Sequence, residues 1–248
     1  MTQSRRSALK WLAGGTAAAL LPLPRLAAGT PETTPVVVEL FTSQGCSSCP
    51  PADAYLRELS KRDDVLALSL PVDYWDYLGW KDTFASPAHT RRQKAYAEAL
   101  GLRNVYTPQM VVGGMKDAVG SQKRAVETAI QACKESLAAQ AVPLAFRKEN
   151  GMIRVETAAG KPAPATLWLI TYQKEGTIRI KRGENKGRDL TYTNIVRDMT
   201  PLSSWNGSAL RIELPAKSLA ATGYDGCAVI LQEEGQGAIL GAARFEME

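Results

Sequence analysis

One short stretch narrows the folding options of this chain more than any other. An apolar, β-branched run from Val36 to Phe41 leads into Cys46-Ser47-Ser48-Cys49, and Ala52 to Arg62 follows with Leu56 and Leu59 at helical spacing. A second apolar run, Val65 to Val72, comes next. Short β-branched runs bounded by turn residues read as buried strands, and a helix between two of them makes a βαβ unit with a parallel pair. The cysteine pair therefore falls on the turn between a buried strand and a helix. Further on, Ser86-Pro87 is a cap followed by proline at the first helical position, and Gly101 ends that helix after Leu100. Gln109 to Val112 and Ala118 to Val119 read as short strands around the Gly113-Gly114 turn. Ser121 then caps a helix that carries Val126, Ile130, Cys133 and Leu137 on one face. The order is βαβαββα.

Composition shifts at Ala138-Ala139-Gln140-Ala141, beyond which apolar residues alternate and helical periodicity fades. Eight strands are expected: Pro143 to Lys148, Met152 to Thr157, Thr166 to Gln173, Thr177 to Lys181, Asp189 to Arg197, Ala209 to Leu214, Cys227 to Gln232 and Ala238 to Phe245. Short strands separated by Gly, Asn and Pro suggest a β-sandwich. The expected layout is an export signal over 1–28, an α/β domain over 29–140 and a sandwich-like all-β domain over 141–248.

The export signal rests on Ser4-Arg5-Arg6-Ser7-Ala8-Leu9-Lys10 ahead of an uncharged Ala-, Leu- and Gly-rich run, with cleavage expected near Ala28. Paired arginines suggest the twin-arginine route, while Ala8 stands where a bulky apolar residue is commoner and keeps ordinary secretion open. Trp11 to Leu21 is too short to span a bilayer, which takes about 20 residues, so no membrane span is expected. Arg5, Arg6, Lys10 and Arg25 supply four of the formal charge of +5, leaving 5 − 4 = +1 beyond the signal. So weak a balance argues against a nucleic-acid partner. Four cysteines are too few for a disulfide scaffold at this length, but an exported chain can keep a disulfide.

A C-x-x-C pair alone occurs in zinc sites as well as in redox proteins. Here there is no second such pair and only one histidine, His89, so a cysteine-rich zinc site cannot be completed from the usual ligands. What remains is a pair at a helix N-terminus, where unpaired N–H groups and the helix dipole favour a thiolate. Pro50 and Pro51 lack N–H groups, so the regular helix is open to starting at Pro50 instead of Cys46. A carboxylate in an otherwise apolar strand has to be protonated or paired, which makes Glu39 either a proton-shuttling acid or a salt-bridged structural one. Asp73 to Phe84 is rich in Tyr, Trp and Asp, and Trp75 and Trp80 fit a binding rim as well as a satellite core. His89, Arg91 and Arg92 read as solvated residues without a role. Cys133 and Cys227 sit among apolar residues and are expected to be buried and outside the exchange chemistry, a structural bridge between them remaining open.

The string Val38-Glu39-Leu40-Phe41-Thr42-Ser43-Gln44-Gly45-Cys46-Ser47-Ser48-Cys49-Pro50-Pro51-Ala52-Asp53 resembles a family of secreted proteobacterial thioredoxin-like proteins of unknown function. So do Val72-Asp73-Tyr74-Trp75-Asp76-Tyr77-Leu78-Gly79-Trp80 and Tyr106-Thr107-Pro108-Gln109-Met110-Val111-Val112. The likeness extends to Arg182-Gly183-Glu184-Asn185 and Asn194-Ile195-Val196-Arg197. Members usually carry histidine directly before the Val-Asp-Tyr-Trp-Asp string, where this chain has Pro71. The resemblance implies a thioredoxin-like fold with a C-terminal β domain. It also implies an attacking Cys46, a resolving Cys49, a proton-handling Glu39, and a cis Thr107-Pro108 bond whose backbone takes an extended substrate.

Three functions are compatible with these residues. The leading one is an exported thiol–disulfide oxidoreductase that needs no cofactor and acts on protein or peptide thiols and disulfides, with a redox partner protein. The second is a Cu(I) carrier, in which Met110 or Met115 assists two thiolates. The third is a partner-binding module on a thioredoxin-like scaffold.

Overall fold

The computed structural model describes residues 34–217 and 225–246. The expected export signal lies outside the described residues. The elements are β1 (Val36–Thr42), α1 (Pro50–Leu59), β2 (Val65–Pro71), a 3-10 turn (Asp76–Leu78), α2 (Pro87–Ala99), β3 (Gln109–Val112), β4 (Lys116–Val119) and α3 (Lys123–Leu137). Seven strands follow: β5 (Leu144–Glu149), β6 (Met152–Thr157), β7 (Ala165–Arg179), β8 (Asp189–Trp205), β9 (Leu210–Pro215), β10 (Gly226–Glu233) and β11 (Ile239–Glu246). The N-terminal α/β order is the one expected, and beyond α3 the described residues are largely β-strand. The fold is thus a thioredoxin-like domain followed by an all-β region.

β1 and β2 are parallel, as the helix between them requires, and every residue of both is buried. One face of β1 (Val36, Val38, Leu40) packs on α1 and α3. The other (Val37, Phe41) packs on Tyr96 of α2 and on Ile170, Ala228 and Ile230 of the C-terminal strands. Those strands continue the same sheet, whose order is β11-β10-β7-β8-β2-β1-β3-β4. The junction is β8 on β2, with Ser69 opposite Ile195, and Asn194 in left-handed conformation (φ 48°) donates its side-chain amide to Ala67 O at 2.9 Å. The remaining strands form a second sheet, β5-β6-β9. Its Phe146, Ile153 and Val155 pack on Leu167, Leu169, Val229 and Leu231 in a sandwich-like pair of layers.

Local differences from expectation have physical causes. Two expected strands merge into β7, because Gly176 does not break it: a Cβ there would lie 2.6 Å from Phe84 Cζ, so glycine makes room for a ring. β8 runs on past Arg197 and through Pro201, which sits opposite Trp168 beside a register shift that absorbs the missing N–H. α1 starts at Pro50 and stops at Leu59, and the residue capping α3 is Gln122, one beyond Ser121. α2 begins as expected, with Ser86 Oγ accepting from Ala88 N at 3.2 Å.

Candidate functional site

The loop after β1 turns tightly. Cys46 N donates to Ser43 O at 3.1 Å and Cys49 N to Cys46 O at 3.3 Å, so both cysteines occupy a single turn. Their sulfurs are joined in a disulfide. Because Pro50 opens the regular helix, Cys49 is its N-cap and its carbonyl accepts from Ala52 N and Asp53 N. Cys49 is 0 % exposed and Cys46 only 3 %, while Ser47 and Ser48 between them are exposed. Ser48 Oγ lies 3.4 Å from Cys46 Sγ.

Two segments, through three sets of contacts, hold this loop in place. Gln44 N donates to Asp82 Oδ2 at 2.7 Å, and Trp80 Nε1 donates to Gln44 Oε1 at 2.8 Å, so the Asp73–Phe84 segment grips it from one side. Asn185, fully buried on the β7–β8 turn, donates to Gln44 O at 3.0 Å and to Cys46 O at 2.9 Å. Trp75 is the third contact: a Cβ on Gly45 would meet Trp75 Cβ at 3.0 Å, while Trp75 Nε1 donates to Thr107 Oγ1 at 2.8 Å. The Thr107-Pro108 peptide is cis. Trp75 thus links Thr107 to the cysteine loop, and Tyr77, 78 % exposed, stacks on the Trp75 ring with centroids 6.4 Å apart. Trp75 and Trp80 are half-buried, with their N–H groups already used.

Glu39 is not at this loop. It points to the α2 side of the sheet, where Arg92 donates to both its oxygens (2.6 and 3.0 Å) and Tyr96 Oη donates to Oε2 at 2.5 Å. Of the two readings the strand left open, the geometry is that of a paired structural acid. Arg92, expected to be solvated, is buried because it neutralises Glu39 and reaches Gln232 and Gln236 in the β10–β11 hairpin. His89 is likewise buried instead of solvated: its Nδ1 sits 2.8 Å from Pro71 O, and burial lowers its pKa. Arg91 is exposed.

A second buried carboxyl belongs to Asp53, which stands one turn after Cys49 and whose backbone N–H donates to Cys49 O at 3.1 Å. Thr42 Oγ1 donates to its Oδ1 at 2.8 Å, its Oδ2 is buried without a hydrogen-bond partner among the described residues, and burial pushes its pKa up to about 8. Asp82, also buried, is raised to about 6 by the same cause, opposed by bonds from the backbone of Gln44 and Phe84. Tyr192 of β8 is raised by burial and then by Asp53 and Asp82, and its ring meets Phe84 edge-on at 5.8 Å. Sequence reasoning missed Asp53, Asp82, Asn185 and Tyr192. Signals existed for two of them: an acid four residues after Cys49 falls on the buried stripe of α1, and Asn185 closes one of the strings that carry the family likeness.

Cys133 and Cys227 are free and buried. Cys133 donates to Val112 O at 3.2 Å, and burial pushes the two thiols up to about 11 and about 12. Met110 is enclosed in the core with Leu40 and Ala52, and Met115 lies by Gly113 and Ser136. Among the described residues no group of three or more His, Cys, Asp or Glu side chains is arranged to hold a metal ion. No described helix is long and apolar enough to cross a membrane.

Residues 37–232 match a family described as a protein of unknown function, DUF1223. A crystal structure of protein AGR_C_4864 from Agrobacterium tumefaciens is similar at 35% sequence identity and a TM-score of 0.77, over 88% of this chain and 98% of that one. HBP35 of Porphyromonas gingivalis shares the fold at 13% identity and a TM-score of 0.54, over 87% of this chain and 76% of that one. A search of curated proteins finds no match.

Proposed function

We propose, on the footing that this chain belongs to the DUF1223 family, that it is an exported thiol–disulfide oxidoreductase working through Cys46 and Cys49. The observation that carries this reading is the disulfide itself, closed within one turn at the N-terminus of α1, and the Trp75 bond to Thr107 supports it. An incoming thiolate attacks Cys46 Sγ, the S–S bond breaks, and Cys49 leaves. In the opposite direction Cys46 attacks a partner disulfide and Cys49 resolves the mixed disulfide. Cys46 takes the external role because what little surface the pair exposes is its own.

Trp75 and Tyr77 form the rim over which an extended peptide reaches the pair, with the Thr107 backbone as its anchor. Trp80 serves the loop through Gln44 instead. Export follows from the signal over residues 1–28, with Arg5 and Arg6 directing the twin-arginine route. The test is equilibration with glutathione or a dithiol. The pair should convert reversibly at a potential within roughly −120 to −270 mV. A Cys49→Ala variant should accumulate mixed disulfides with periplasmic proteins. A protein that neither reduces nor oxidises any model disulfide would refute the reading.

A further inference from the structure

We propose that Asp53 is the proton donor and acceptor for Cys49, in a buried cluster to which the C-terminal strand β8 contributes Tyr192. The proposal deepens the exchange reading above and rests on it. Cys49, Asp53 and Arg57 follow one another at four-residue spacing, so they form a single stripe along α1. That stripe faces β8, since Arg57 Nε donates to Thr193 Oγ1 at 3.3 Å. Neighbouring side chains on such a stripe have Cβ atoms about 5–6 Å apart, so Asp53 stands one turn beyond Cys49 on the same face, its backbone N–H bonded to Cys49 O at 3.1 Å.

The groups around Asp53 explain why it holds a proton. Thr42 at the end of β1 gives it one hydrogen bond, Asp82 from the segment after β2 adds like charge, and Tyr192 from β8 supplies a phenol. Arg57, the nearest cation on its own helix, is turned to Thr193 and to Glu175, 3.9 Å away. Glu39 shows how this fold treats a buried acid that is only structural: it is given an arginine and a tyrosine. Asp53 has no ion-pair partner among the described residues, and both Asp53 Oδ2 and Tyr192 Oη are buried without hydrogen-bond partners among them. An open acceptor beside a buried sulfur is suited to passing a proton.

When an external thiolate bonds to Cys46 Sγ, the S–S electron pair goes to Cys49 Sγ. The Asp53 carboxylic acid gives its proton to that sulfur, leaving a Cys49 thiol and an Asp53 carboxylate. In the resolving direction the carboxylate takes the Cys49 proton as Cys49 Sγ displaces the partner thiolate from Cys46. The reductant or oxidant is the external dithiol or disulfide.

The experiment follows reduction of the oxidised full-length mature protein by dithiothreitol through tryptophan fluorescence, for wild type and Asp53→Asn. Their rate ratio across pH cancels the ionisation of the reagent. Wild type should be faster by about tenfold or more below pH 7, and the ratio should fall towards one as the pH passes about 8. Thr42→Val, which removes a hydrogen bond to the carboxylate, should move that fall to higher pH, a shift that a merely structural Asp53 would not produce. A ratio that is flat with pH, or a Thr42→Val profile that stays in place, overturns the proposal while leaving exchange intact. A wild-type pair that dithiothreitol cannot reduce and disulfides cannot reform overturns the exchange reading, and this proposal with it.

Discussion

Asp53 and Glu39 lie on opposite faces of the region around β1, and their surroundings lead to opposite stability predictions. The unfolded Asp53 carboxyl loses its proton near 3.8, whereas the folded one keeps it to about 8. The folded state therefore holds an extra proton across that window, and stability falls as pH rises through it, the full penalty being reached above pH 8. Asp53→Asn should stabilise the oxidised protein by on the order of a few kcal/mol at pH 9, with no gain below pH 4, as read by urea unfolding. Glu39→Gln removes the partner of a buried guanidinium and should destabilise by about 3–5 kcal/mol at neutral pH. The sequence showed that an acid in β1 needs either a proton or a partner. It could not show which, because Arg92 lies 53 residues away and looks like a surface residue on its helix until α2 is packed.

At the level of elements, the cysteine loop is pinned by parts that arrive from far along the chain. Asn185→Ala strands two buried carbonyls, those of Gln44 and Cys46, and should lower stability by about 1–3 kcal/mol. Amide exchange from Gln44 to Cys49 should quicken in that variant, while exchange in β5 and β6 stays as it was. Element types were legible wherever periodicity and punctuation agreed: β1, β2 and α2 lie within a residue or two of their expected bounds. Strand length was not, because Gly176 reads locally as a break and is in fact the space for Phe84. The cis peptide bond at Thr107 was anticipated through family likeness, since Thr-Pro in itself is silent about its isomer.

Taken as a whole, the N-terminal α/β strands and four of the C-terminal strands share one eight-stranded sheet, and the layer containing Val37, Phe41 and Leu68 is completed by Ile170, Val196 and Ile230. A fragment ending at Ala141 would leave that layer open, so it should bind a hydrophobic dye and melt without a cooperative transition, while the mature protein unfolds in one step by calorimetry. Thiol titration gives a second check: none should react in the native oxidised protein, and the two thiols of Cys133 and Cys227 should appear on denaturation. This sharing could not be read from composition, since alternating apolar residues show that a strand has a buried face but not which strand it pairs with. It also sets an order of events at the ribosome. Cys46 precedes Asn185 by 139 residues. At about 5–20 residues per second that separation corresponds to roughly 7–28 s of synthesis. During that interval the two sulfurs exist without the turn that later clamps their loop, so a nascent chain is chemically more open at this pair than the finished protein.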